Sequence, residues 1–183
     1  MSKIMTIASG VDVMPLVLQV ERNPELWDEW TLRTEATDSP HHTSSDIWLR
    51  YNDKANFNGD KAEFNGEHDS VWYPAAQKLP ALRDIVFNLM ARVRGERLGG
   101  IWVTKIPPGK SVLPHVDGGW HAGHYDKYAV QLKSAPGQSF NFEGERLESK
   151  PGDVYWFDNS YAHWVLNDSD QERMTLIVCI KGE

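Results

Sequence analysis

Cysteine is nearly missing from this chain: Cys179 stands alone in the run TLIVCIK. No disulfide framework can form within the chain, which fits a reducing cytosol, and the thiol reads as buried and inert. Long apolar runs are missing too. No stretch approaches the roughly 20 apolar residues of a membrane span. The N-terminal MSKIMTIASGVDVMPLVLQV carries Asp12 and Pro15 where a signal peptide would need an unbroken apolar core. Basic residues are in deficit, 19 against 26 acidic, for a net charge of −7. A chain of that charge gains nothing from phosphate backbones, so no nucleic-acid partner is expected. Internal repeats and low-complexity tracts are absent as well. What is plentiful is tryptophan, eight in 183 residues, which suggests ring-lined core or pocket walls.

The length suits a single domain, 1–183. Two parts are expected within it. Residues 1–97 read as helices and strands that support a barrel and carry substrate loops; 98–181 read as the β core. VDVMPLVLQV (11–20) reads as a strand. NPELWDEWTLR (23–33) reads as a helix with Asn23 at its N-cap and Pro24 in its first turn. Residues 34–45 are a polar loop in which His41 and His42 are expected to be exposed. DIWLRY (46–51) is strand-like, and residues 52–70 form a long polar stretch. In LPALRDIVFNLMARVRGE (79–96), Leu82, Ile85, Val86, Leu89, Met90 and Val93 fall on one helical face. Gly95 and the Gly99–Gly100 pair are expected to end that helix. From 98 onward, short runs rich in β-branched and aromatic residues alternate with turn chemistry (PPGK, VDGG, APGQ, KPGD). That is the pattern of an antiparallel sandwich or barrel.

Two histidines in this β half sit beside unusual company. His115-x-Asp117 places two ligand-capable side chains on one face of an extended segment, and His163 follows 48 residues later on another strand-like run. Two imidazoles and one carboxylate on one side of an ion suit non-haem Fe(II) oxygenases. The same residues also read as an ordinary loop and an ordinary core histidine. Arg173 lies ten residues past His163, on a strand face shared with Thr175 and Cys179. A cation aimed into a partly buried space is costly unless paired. A dicarboxylate ligand would pair it; so would a surface acid such as Asp168, Asp170 or Glu172.

Three segments, VTKIPPGKSVLPHVDGG, DKYAVQLKS and KPGDVYWFDNSYAHWVLNDSDQERMTLIVCI, resemble the aspartyl/asparaginyl β-hydroxylase family over roughly 98–181. A likeness to bacterial amino-acid hydroxylases of the same superfamily, proline hydroxylases among them, is also visible. The resemblance implies a mainly β fold, a double-stranded β-helix of the cupin or jelly-roll kind with N-terminal helices. It implies an Fe(II)- and 2-oxoglutarate-dependent dioxygenase that uses O₂ to hydroxylate a C–H bond. The substrate would be an amino acid, or an Asp/Asn-type side chain in a peptide or protein. His115, Asp117 and His163 match the metal ligands, and Arg173 the arginine that binds the distal carboxylate of 2-oxoglutarate. Thr104 falls where a hydroxyl residue assists in holding that carboxylate. Lys127 falls where an arginine stands near the co-substrate's other end. Ala129 replaces a frequent histidine, and Gln131 on the same strand face is a candidate substitute. Asp158 is expected either to hold a ligand histidine or to cap a turn. Two other readings compete: a metal-bound cupin of different activity, which has no need of Arg173, and a non-catalytic barrel, which has no need of three converging ligands.

Overall fold

The computed structural model describes residues 2–182. In chain order the elements are β1 (Ile4–Ala8), α1 (Met14–Arg22), β2 (Ser45–Tyr51), α2 (Lys61–Phe64), β3 (Val71–Trp72), α3 (Leu82–Arg92), β4 (Gly95–Ile106), β5 (Ser111–His115), α4 (Trp120–His124), β6 (Asp126–Lys133), β7 (Gln138–Phe142), β8 (Glu145–Leu147), β9 (Val154–Phe157), β10 (His163–Asn167) and β11 (Arg173–Gly182). They form a seven-stranded sheet, β1-β9-β6-β11-β4-β2-β3, and a four-stranded sheet, β5-β10-β7-β8. Every neighbouring pair is antiparallel. This is the expected mainly β, double-stranded β-helix architecture.

The strand alternation explains both layers of packing. On β11, Met174, Leu176, Val178 and Ile180 point outward from the barrel and are fully buried beneath the helices. Leu16, Val17 and Val20 of α1 and Leu82, Ile85, Val86 and Leu89 of α3 join them in one core. Each such side chain contributes about 1.5–3 kcal/mol on burial. The other β11 face, Arg173, Thr175 and Ile177, turns between the sheets. There Ala129, Phe140, Phe142, Tyr155 and Phe157 form a second cluster.

The N-terminal third departs from expectation in several places. Residues 14–22 are helical, not a strand. Pro15 is tolerated in the first turn, where no intrahelical N–H bond is due. Leu16, Val17 and Val20 then fall on one buried face, a spacing that also mimics an apolar strand. The helix expected over 23–33 is only a turn at Pro24–Leu26. Asn23 closes α1 instead of opening a helix: its amide donates to Gln19 O at 2.8 Å. Asp28 adopts φ 59°, which stops any helix, and pairs through its backbone N–H with Asp46 O at 2.9 Å. Strand β1, which no sequence pattern announces, pairs with β9. Since β1, β2 and β3 all extend the large sheet, the first 97 residues supply part of the barrel wall as well as its cover.

The helix over 79–96 is present as α3 but stops at Arg92, and the glycines beyond it serve β4. Gly100 lies inside that strand because rings lie against its backbone. A Cβ there would sit 2.9 Å from Tyr51, 3.0 Å from Trp102 and 3.2 Å from His121.

Candidate active site

Register brings the two histidines together. Strands β5 and β10 pair with His163 directly opposite His115. Cross-strand partners share a sheet face, and the two ring centroids lie 4.5 Å apart. Asp117 follows immediately after β5, its backbone N–H bonded to Asn159 O at 3.2 Å. Its carboxylate lies 3.6 Å from His115 Nε2 and 3.7 Å from His163 Nε2. One ligand atom from each of the three residues falls within 4.8 Å of the others.

Both imidazoles are oriented by the backbone. Leu113 O sits 2.7 Å from His115 Nδ1, and Tyr161 O sits 2.9 Å from His163 Nδ1. A carbonyl accepts only, so Nδ1 carries the proton and Nε2 presents its lone pair. Burial lowers both histidine pKa values, keeping the rings neutral. Burial acts the other way on Asp117, but Lys127 and the two histidines outweigh it and hold the carboxyl at about 2. Lys127 Nζ donates to Asp117 Oδ2 at 2.6 Å. The donor set is thus two neutral nitrogens and one anionic oxygen, the chemistry that a divalent first-row metal takes. Asp158 plays no part in holding it; its Oδ1 accepts from Ser160 N at 3.1 Å and Ser160 Oγ at 2.6 Å, capping a turn.

The three residues stand where two cavities meet. A narrow one of about 60 Å³ runs inward between the sheets, past His163 to Tyr155, Arg173 and Thr175. At ~10–15 Å³ per water it holds roughly four to six waters, about the room a small dicarboxylate fills. A wider one of about 450 Å³ opens outward over Trp48, Tyr51 and Trp102. His115, Asp117 and Lys127 line both.

Arg173 is 1% exposed. Its only partner among the described residues is the Tyr155 hydroxyl, 3.3 Å from Nη2; Nε and Nη1 have none. None of the surface acids Asp168, Asp170 or Glu172 reaches it. A buried guanidinium with two unpartnered nitrogens and no counter-ion among the described residues could hold an anion that arrives from outside.

Thr104 lines the narrow cavity, but its hydroxyl is engaged. It donates to Asp46 Oδ1 at 2.8 Å and accepts from Arg33 Nη2 at 2.7 Å. Gln131 is spent entirely inside the protein. Its amide donates to Lys133 O (2.7 Å) and Met174 O (2.9 Å), and its oxygen accepts from Ser149 Oγ (2.7 Å). It lies outside both cavities. Arg50 is bound to Leu98 O and lies over Trp72, away from the site. Cys179 is fully buried, and burial pushes its thiol up to about 12.

His41, expected to be exposed, lines both cavities. Its ring meets that of His115 edge-on at 4.6 Å. The loop that carries it is tied to β5 by Leu113 N to Pro40 O (2.9 Å) and Thr43 Oγ1 to Ser111 O (2.7 Å). No pattern in residues 34–45 announces those long-range bonds.

His121 lines the wide cavity and accepts from Gly100 N at 3.0 Å. Burial lowers its pKa to about 3. In the unfolded chain the ring takes up a proton below about pH 6.5; in the fold it stays neutral, since a proton on Nε2 would cost the Gly100 bond. Its stabilising contribution is therefore complete above that pH and declines as pH falls from about 6.5 toward 3. Replacing His121 by glutamine is expected to flatten the fall of stability between about pH 7 and about pH 5 by up to ~1.4 kcal/mol per pH unit. Urea denaturation at several pH values measures this, and an unchanged slope would refute the assignment.

A family model described as Aspartyl/Asparaginyl beta-hydroxylase matches residues 25–182. Among solved structures, a 2OG-Fe(II) oxygenase family protein from Burkholderia pseudomallei superposes with a TM-score of 0.60 at 12% identity, covering 98% of this chain and 84% of its own. The viral collagen prolyl hydroxylase from Paramecium Bursaria Chlorella virus-1, in its 2OG complex, gives 0.55 at 11% identity, covering 100% and 97%. At such identities the likeness establishes the fold. A search of curated proteins by sequence found no match.

Proposed function

We propose a specific activity from one premise: this chain belongs to the aspartyl/asparaginyl β-hydroxylase family, and so to the 2-oxoglutarate-dependent oxygenases. The activity is hydroxylation of an unactivated C–H bond in an amino acid, or in an Asp/Asn-type side chain of a peptide or protein. His115, Asp117 and His163 would hold Fe(II), and Arg173 the distal carboxylate of 2-oxoglutarate. Bound iron and 2-oxoglutarate would supply the oxidising power, one atom of O₂ going to the succinate formed with loss of CO₂ and the other to the substrate carbon.

The observation that carries this reading is Arg173, a buried cation with no counter-ion among the described residues, in the cavity that the triad closes. A metal-binding barrel of other chemistry needs no such group. The remaining residues have separable tasks. The Leu113 and Tyr161 carbonyls fix the tautomer and tilt of the imidazoles. Lys127 holds one oxygen of Asp117 and stands near the mouth shared with the wide cavity. Ile106, Val112, Phe140 and Val165 wall the narrow cavity; their apolar surface excludes water and strengthens the charge pairing inside it. The wide cavity is the place for substrate.

Anaerobic protein given Fe(II) and 2-oxoglutarate is expected to show the weak visible charge-transfer band of an iron–keto-acid chelate. Succinate release screened over free amino acids and over Asp- and Asn-containing peptides then identifies the substrate. A protein that shows no band and releases no succinate would refute the proposal.

A further inference from the structure

We infer that the wide cavity selects a substrate carboxylate over the matching carboxamide, and that His121 Nδ1 and Asn65 Nδ2 donate to it. This inference rests on the function proposed above, which leaves acid and amide substrates open.

The fold sets the tautomer of His121. Gly100 N donates to its Nε2 at 3.0 Å, so Nε2 holds a lone pair. Burial keeps the ring neutral, and a neutral imidazole with Nε2 bare carries its proton on Nδ1. His121 is 5% exposed and lines the wide cavity. Its Nδ1 makes no hydrogen bond with any described residue, so a buried N–H stands at the cavity wall without an acceptor.

Asn65 is oriented in the same way. Tyr51 lies next to His121, ring centroids 4.9 Å apart, and its hydroxyl donates to Asn65 Oδ1 at 2.9 Å. Burial raises the Tyr51 pKa, so the phenol keeps the proton it gives. With Oδ1 turned to Tyr51, Nδ2 is turned away from it; it has no acceptor among the described residues, and Asn65 lines the wide cavity. Trp48 and Trp102 line the same cavity, and their buried indole N–H groups also lack a partner there. Of the acids in the wall, Asp117 is held by Lys127 and Asp38 is exposed. The wall therefore has donors to spare. A carboxylate is acceptor only, with roughly four lone-pair positions. A carboxamide offers one oxygen and would turn its own N–H donors toward the others, leaving buried groups unpaired. Held by that handle, the substrate meets the triad in one orientation.

The test is succinate release by the intact Fe(II)-loaded protein with paired probes. Free L-amino acids are set against their α-carboxamides, and blocked peptides holding one Asp against the same peptides holding Asn. The first pairs report a free α-carboxylate, the second a side-chain carboxylate. In the pair that is turned over, the acid is expected to be preferred about tenfold to a hundredfold in kcat/KM, the worth of one hydrogen bond to a charged group. His121→Gln keeps an acceptor for Gly100 and gives up the Nδ1 donor; it should raise KM for the acid and remove most of the preference. His121→Asn sets its amide near the Nδ1 position, gives up the Gly100 bond, and should keep more of the preference. Asn65→Asp keeps the acceptor for Tyr51, puts a like charge where the donor was, and should reverse the preference. A purely structural role would lower turnover of acid and amide alike. Wild-type protein that uses acid and amide equally overturns the inference, as does a His121→Gln or an Asn65→Asp protein that keeps the full preference. A nitrogen NMR spectrum that places the His121 proton on Nε2 overturns it too. A charge-transfer band without succinate from any probe overturns the inference and leaves the proposed function standing. No band and no succinate overturns the proposed function, and the inference with it.

Discussion

Arg173→Met is expected to lose 2-oxoglutarate affinity by about thirtyfold to a few thousandfold, and to unfold at a temperature no lower than wild type. The two effects come from one cause. Arg173 is the largest fully buried side chain among the described residues, with a phenol hydroxyl as its sole partner there. Taking a guanidinium out of water costs several kcal/mol, which one neutral hydrogen bond does not recover. Methionine is flexible, of similar reach and free of that cost, so the unliganded fold should gain or hold stability. With ligand, the balance reverses. Removing one partner of a buried charge pair costs ~2–5 kcal/mol, and each ~1.4 kcal/mol is tenfold in affinity. Arg173→Lys should recover only part of the binding, because an ammonium has no planar fork to match a carboxylate. Thermal unfolding and keto-acid calorimetry on the same preparations decide the matter. A variant that is less stable and binds 2-oxoglutarate normally would mark Arg173 as a structural residue.

Part of the candidate site is legible in the sequence and part is not. The candidate ligands can be read there because their geometry is local. His115 and Asp117 are two apart at a strand end, and the alternation of residues 173–180 alone sets Arg173 on the face opposite the apolar one. What cannot be read depends on contacts between distant segments. His41 reads as exposed because residues 34–45 are polar; two hydrogen bonds to β5 turn that loop inward. Thr104 lines the narrow cavity as its position suggests, but only the fold brings Asp46 and Arg33 against it, 58 and 71 residues away. Gln131 shares a strand face with Lys127, and alternation carries no information about depth along the barrel, so its burial away from both cavities leaves no trace in the pattern. The strand expected over 11–20 fails for another reason. Val11, Val13, Leu16, Val17 and Val20 satisfy strand and helix patterns over so short a span, and burial beneath the sheet decides for the helix.

Removal of the Asp117 carboxylate, a candidate metal ligand, should be the most damaging change to the unliganded protein as well as to metal binding. Asp117→Asn keeps shape and loses charge. Lys127 Nζ, whose side chain is 10% exposed, would then have no counter-ion. Breaking a buried pair from one side costs ~3–5 kcal/mol, a large share of the roughly 5–15 kcal/mol that holds a typical domain folded. Lys127→Met should cost much less on its own. The Asp117 carboxylate it leaves is 16% exposed, and with the Lys127 charge gone it can draw a proton onto one of the two facing histidines, whose pKa values its charge raises and that of Lys127 lowers. The double variant Asp117→Asn/Lys127→Met should therefore recover most of the stability lost in Asp117→Asn, a coupling that a double-mutant cycle reads directly. It should not recover metal binding. Mn(II) at about a hundred times its dissociation constant stabilises a binding protein by ~2.7 kcal/mol; wild type is expected to show that shift, and both Asp117→Asn proteins none. If the double variant stays as unstable as Asp117→Asn, the Lys127 pair is not the origin of the loss. If Asp117→Asn keeps the full Mn(II) shift, the carboxylate is not a ligand.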